Sequence, residues 1–242
     1  GGPYRTMPEL AVYVDEVGQK LARHSDRELP YAFTVLNNPV PNAWALPGGK
    51  IAINRGLLVE LENEAELAAV LGHEIVHSAA RHSAQQMERQ AIGNAAAQVA
   101  IIGIASSMEE GRNRDLALGA ATTAATLGTQ LIYSRYGRAA ESEADYYGME
   151  YMVRAGYDPE AAVTLQQKFV ELSKGRNPNW IEGFFASHPP SAQRVEANRE
   201  RLAELPEGGT IGKKEYESRI APLRKAQPAY ATYREGMEAL AN

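Results

Sequence analysis

The stretch LGHEIVHSAARH (Leu71–His82) decides how this 242-residue chain is read. Leu67, Val70, Leu71, Ile75 and Val76 recur at helical spacing. Asn63 is suited to cap that helix, and Glu64 and Glu66 fall in a first turn that the helix dipole favours. His73 and His77 are four residues apart and share one face, so both imidazoles can present a nitrogen to a single ion. Glu74 lies roughly 100° around the helix from His73, placed to reach a water beside such an ion without ligating it. The chain has only five histidines, so an accidental HEIVH on an ordinary amphipathic helix is the weaker reading. His82 falls on a different part of the helix and is read as scaffold.

Five letters need support from elsewhere. There is no cysteine, so a metal would have to be held by His, Asp or Glu. The offsets at which a metzincin carries its glycine and third histidine hold Ala80 and Ser83, which excludes that continuation. A glutamate from a second helix remains. RAAESEAD (138–145) places Glu141 and Asp145 on one face, where one carboxylate can bind a metal and the other can accept the N–H of a ligating histidine. Glu143 lies roughly 200° from Glu141 and is expected to face elsewhere. Taken alone, a solvated acidic helix face is the better explanation of these residues.

Hydrophobic residues make up 44% of the chain and charged residues 23%, as in ordinary soluble domains. The net charge of -5 gives no reason to expect nucleic acid or an anionic membrane surface as partner. The opening GGPYRTMPEL has no initiator methionine and no signal segment, as expected of a chain whose native N-terminus has been removed. Residues 7–25 predict a helix and 31–37 a strand. In NAWALPGGKIAINRGLL (42–58), Pro47-Gly48 suits a type II turn between two strands, with a helix starting near Arg55. Residues 90–108 and 116–134 carry no charge and predict a helical hairpin packed through small residues, with membrane contact as the minority reading. Helices are further expected through Glu141 up to Gly156, from Asp158, and from Ser191. After PEGG (206–209), two short helices separated near Pro228 are expected. The fold class is therefore mainly α with a small β-sheet (α+β).

Four collinear blocks, NAWALPGGKIAINRGLL, HEIVH, RAAESEAD and SHPPSAQRV (187–195), resemble the zinc metallopeptidase family that includes the HtpX and CAAX prenyl proteases. Within that gluzincin family the closest likeness is to the BepA-like bacterial periplasmic branch. The resemblance implies a zincin-like metallopeptidase domain over 1–205, with 206–242 as a helical extension. It implies one zinc ion per chain held by His73, His77 and Glu141, and a zinc-activated water with Glu74 as general base. Asp145 falls where the family has a partner for a ligating histidine. His188 matches a histidine that approaches the zinc in BepA-like proteins and holds the enzyme self-inhibited. Arg194 matches an arginine near the site; it would polarise the substrate carbonyl or, equally well, anchor its loop by a salt bridge. The strand edge at Asn42, Ala43, Trp44 and Ala45 is expected to pair with an extended peptide, a role compatible with a plain hairpin. The hairpin 90–134 is expected to cover the cleft.

The function expected is endopeptidase cleavage of misfolded or misassembled envelope proteins in a bacterial periplasm or membrane-associated envelope. Unfolded polypeptides are the partners, membrane association is allowed but not required, and a client-binding domain beyond Asn242 is compatible with the chain. The alternative is a zinc-containing, chaperone-like protein with little proteolytic activity, against which the intact Glu74 argues.

Overall fold

The computed structural model describes residues 2–107, 111–120, 122, 136–175 and 178–241. The helix that carries HEIVH, α3 (Glu64–Ala79), runs through the middle of them. Asn63 Oδ1 accepts from Glu66 N at 2.9 Å, and Glu66 Oε2 accepts in return from Glu62 N at 2.8 Å, so the cap closes on both sides. Ala65, Leu67, Ala68, Val70, Leu71, Ile75 and Val76 are all buried. A helix apolar on every side has to be enclosed by other elements.

Its enclosure comes from both halves of the chain. On one side lie α1 (Pro8–Ala22) and a three-stranded sheet of β1 (Ala32–Leu36), β2 (Ala43–Leu46) and β3 (Lys50–Asn54). The sheet order is β1-β3-β2, with β1 parallel and β2 antiparallel to β3. Gly48 and Gly49, at φ +84° and +85°, make the β2–β3 turn, as the Pro-Gly pair predicts for Gly48. Gly49 N–H donates to Ser78 Oγ of α3 at 3.0 Å, which ties that turn to the central helix. Short α2 (Arg55–Glu60) follows β3, and Leu57, Leu58 and Leu61 complete the core there.

On the other side α3 meets α5 (Arg138–Arg154) and α6 (Glu160–Lys174). The approach of α3 to α5 is backbone to backbone at Gly72 and Gly148. A Cβ on Gly72 would lie 3.1 Å from Gly148 O, and one on Gly148 would lie 3.1 Å from His73 N. Two short helices, α7 (Pro178–Glu182) and α8 (Phe184–Ser187), lead to α9 (Ala192–Leu202), whose cap Ser191 Oγ accepts from Arg194 N at 3.2 Å.

Two expectations need correction. The stretch LGHEIVHSAARH is not one helix: α3 stops at Ala79, Arg81 takes φ 62°, and a new helix, α4 (His82–Ser107), begins. A left-handed residue costs roughly 1–2 kcal/mol without glycine's freedom, so a strained corner separates His82 from the helix assigned to it. The C-terminal segment is one helix, α10 (Lys213–Ala241), not two broken near Pro228. Each internal proline removes one backbone hydrogen bond. Long-range anchoring offsets that loss: Tyr216, Ile220 and Leu223 are buried in the main core, Tyr216 Oη donates to Leu58 O at 2.6 Å, and Arg224 donates to Leu61 O at 2.7 Å. Of the expected hairpin, residues 112–120 are helical, and most of the second helix lies outside the described residues. Among the described residues no helix is long and apolar enough to cross a membrane.

The glycine contact generates a prediction of opposite signs. Gly148→Ala gains helix propensity but forces α5 off α3, and should lower stability by about 1–2 kcal/mol net. Gly103→Ala in α4, where a Cβ meets nothing within 4 Å, should instead raise it by about 0.5–1 kcal/mol. Thermal unfolding of the metal-free proteins reads both; equal shifts would contradict the close-packing account.

Candidate metal centre

Four side chains converge beside the Gly72–Gly148 contact. His73 and His77 project from α3, Glu141 from the first turn of α5, and His188 from the residue that ends α8. His73 Nε2 and His77 Nε2 are 3.0 Å apart, and His188 Nδ1 lies 3.2 Å from His73 Nε2. Glu141 Oε1 lies 3.2 Å from His77 Nε2 and 3.0 Å from His188 Nδ1. Two atoms bound to one zinc ion at about 2.0–2.1 Å in tetrahedral geometry are about 3.3–3.4 Å apart. The cluster is therefore close to the size such an ion requires, and all four residues are buried.

Electrostatics also suit a cation here. Burial disfavours an imidazolium, yet Asp145 and Glu141 outweigh it and push His73 up to about 10. Burial also opposes ionisation of Glu141, but His188 and His73 hold it well below the usual carboxylate range. His77 is held neutral by burial, which its contact with Glu141 only partly opposes, while the charges of His73 and His188 lower it further. The carboxylates thus draw positive charge into the space between the imidazoles, and three nitrogens with one oxygen form a donor set that zinc accepts.

Around these four, Asp145 Oδ1 lies 3.0 Å from His73 Nδ1, which places the His73 proton there and leaves Nε2 facing the cluster. Arg194 Nε and Nη2 each donate to Asp145 at 2.7 Å, while Nη1 lies 2.7 Å from Glu141 Oε2 and donates to Pro189 O at 3.2 Å. Arg194 is buried, and its charge faces two carboxylates that would otherwise repel each other. Of the two readings offered by the sequence, the geometry is that of the anchor.

Glu74 is fully buried, and burial raises its pKa, partly offset by the charges of His188 and His73. His188 Nε2 is 3.3 Å from Glu74 Oε1, and the backbone of Ala45 faces the same carboxylate. Asn54 N donates to Asn42 O at 2.8 Å, so the strand alternation turns the backbone groups of Ala43 and Ala45 away from β3. Ala45 O is met there by Ser83 Oγ at 2.8 Å. Ala43 and Ala45 are buried, Asn42 and Trp44 are half-buried, and Phe184 N donates to Pro41 O at 2.8 Å. The β2 edge is thus largely covered in this conformation.

Sequence reasoning missed several participants. Tyr136 stacks on the His77 ring with centroids 3.9 Å apart, and its hydroxyl is 2.9 Å from Ser83 Oγ. Phe184 stacks on His188 at 4.7 Å. The only signal for Tyr136 was its position two residues before RAAESEAD. His82, read as scaffold, brings Nδ1 to 3.0 Å from His77 Nδ1, and Glu143, expected to face elsewhere than Glu141, has Oε2 3.3 Å from His82 Nε2.

A family model described as peptidase family M48 matches residues 8–202. The chain is 30% identical to the beta-barrel assembly-enhancing protease of Escherichia coli (strain K12) over 199 residues, 82% of this chain and 40% of that protein. It is 33% identical to the mitochondrial metalloendopeptidase OMA1 of Schizosaccharomyces pombe over 194 residues, 80% of this chain and 53% of that one. It is also 31% identical over 176 residues to the metalloprotease YcaL of Escherichia coli, 72% of this chain and 63% of that one. The chain thus spans about two-fifths to under two-thirds of the length of these relatives.

Removing the arginine tests the clamp. Arg194→Met leaves buried carboxylates without their counter-charge and should cost about 3–5 kcal/mol in urea unfolding of the metal-free chain. Arg194→Lys, which cannot reproduce the fork, should recover only part of that. A loss below about 1 kcal/mol for the methionine variant would contradict the arrangement.

Proposed function

The chain belongs to peptidase family M48, a family of zinc metallopeptidases, and from that membership we propose that it is a zinc endopeptidase acting on extended segments of misfolded or misassembled polypeptides. The observation that carries this reading is the buried convergence of His73, His77, Glu141 and His188 with Glu74 alongside. His73, His77 and Glu141 would hold the metal. When bound, zinc supplies a Lewis acid that makes water more acidic and polarises a carbonyl.

The chain's own residues supply the rest. Glu74 accepts a proton from the attacking water and delivers it to the departing amine nitrogen, so that one peptide bond and one water give an acid and an amine. Its burial suits this part, because a raised pKa makes the carboxylate a stronger base toward that proton. Asp145 fixes the His73 tautomer, and Arg194 holds Asp145 and Glu141 in register. The outward backbone groups of Ala43 and Ala45 are the natural pairing edge for a substrate strand, flanked by Asn42 and Trp44. For that edge to be used, the segment around Phe184 and His188 must move away, and Ser83 must release Ala45 O. With the metal held by His73, His77 and Glu141, His188 would fill the remaining position, which a substrate carbonyl or water needs, and so restrain the enzyme.

The envelope setting and the class of substrate rest on the name of the Escherichia coli relative, which speaks of beta-barrel assembly. A chaperone-like role with little cleavage is the second reading. The exposed apolar residues of α4, Ile92, Val99 and Ile102, favour it, because they offer unfolded chains a surface.

Casein cleavage with parallel zinc analysis separates the two. Glu74→Gln should retain zinc and lose at least about 100-fold in kcat/KM. Client binding by both proteins with cleavage by neither would favour the second reading. At equal zinc occupancy, His188→Ala should cleave faster than wild type; an unchanged rate would count against the restraint.

A further inference from the structure

The two histidines of HEIVH are oriented by different means. His73 gives its Nδ1 proton directly to Asp145. Among the described residues no carboxylate stands at the corresponding position of His77. If His77 Nε2 faces the metal, its proton must sit on Nδ1, which lies 3.0 Å from His82 Nδ1 in a buried setting. His82 Nδ1 must then be the acceptor, which puts the His82 proton on Nε2. That nitrogen lies 3.3 Å from Glu143 Oε2. Each proton position follows from the one before it.

We propose that His82 and Glu143 form a positioning relay for the second metal ligand, in which Glu143 sets the tautomer of His82 and His82 orients and polarises His77. The proposal rests on the reading of His77 as a zinc ligand. The inner end of the relay is buried, with His82 only 7% exposed, while the Glu143 side chain is 46% exposed. The backbone supports the same arrangement. Arg81 adopts a left-handed conformation, at φ 62°, at the corner between α3 and α4, and that corner turns His82 back toward the ligand one turn before it. A continuous helix would carry His82 about 500° around the axis from His77, well off the i,i+4 face the two ligands share. The strained corner therefore does for His77 what Asp145 does for His73.

The relay predicts a ranking of zinc affinities, read by chelator competition against Zn2+ on the full chain. His82→Leu removes the acceptor and should weaken zinc binding about 10–100-fold. His82→Gln, whose side-chain oxygen can still accept from His77, should recover most of that loss. Glu143→Ala should lose less than His82→Leu, because water can take the place of an exposed carboxylate. Loaded with Co2+, His82→Leu should also show an altered visible spectrum relative to wild type, with His82→Gln nearer wild type. Thermal unfolding of the metal-free variants separates loss of folding from loss of affinity. Should His82→Leu fail to fold, Glu143→Ala carries the test: weaker zinc binding at unchanged metal-free stability supports the relay, and unchanged affinity overturns it. Zinc bound by His82→Leu as tightly as by wild type, or by His82→Gln as weakly as by His82→Leu, overturns it as well. A wild-type chain that binds no zinc, or a His77→Ala chain that binds it as tightly, overturns the ligand reading and the relay with it.

Discussion

The metal centre depends on how closely α3 can lie against α5. Glycines at 72 and 148 let the two backbones meet where any side chain would hold them apart. That contact sits one residue before His73 and two turns beyond Glu141. The distance between imidazole nitrogens and carboxylate is therefore set by backbone packing more than by side-chain adjustment. Shape complementarity in a close-packed interior transmits small displacements without absorbing them. A few tenths of an ångström at the glycines becomes a comparable error between ligands on separate helices.

Burial of so many ionisable groups then imposes a second constraint. Glu74, Glu141, Asp145, His73, His77, His188 and Arg194 share a few ångströms of protein interior, where unpaired charge is costly. The arrangement balances because Arg194 faces two carboxylates at once and because the carboxylates draw positive charge among the imidazoles. Apart from Glu74, which meets His188 alone, each group is held by at least two others, so the site acts as one network whose members are not independent. Tyr136 and Phe184 add aromatic cover on His77 and His188, excluding water from the same space.

What was legible in the sequence was what local rules govern. The Asn63 cap, the shared face of His73 and His77, the pairing of Glu141 with Asp145 and the Pro-Gly turn all follow from spacing and residue type. Their partners across the fold were a different matter. The corner at Arg81 has no glycine, asparagine or proline to mark it, and without it His82 reads as another position on a continuing helix. That Glu143 faces elsewhere than Glu141 was legible, but helical angle alone says nothing of His82 approaching it from α4. Pro228 misled in the opposite direction: proline is a strong local signal, and the anchoring of Tyr216, Ile220 and Leu223 outweighs it. The Gly72–Gly148 contact was invisible because each glycine has meaning only beside the other.

Anomalous diffraction at the zinc edge tests the central claim most directly. One peak per chain is expected, about 2.0–2.2 Å from His73 Nε2, His77 Nε2 and a Glu141 carboxylate oxygen. A zinc peak elsewhere, or one at the histidines with Glu141 turned away, would contradict the account.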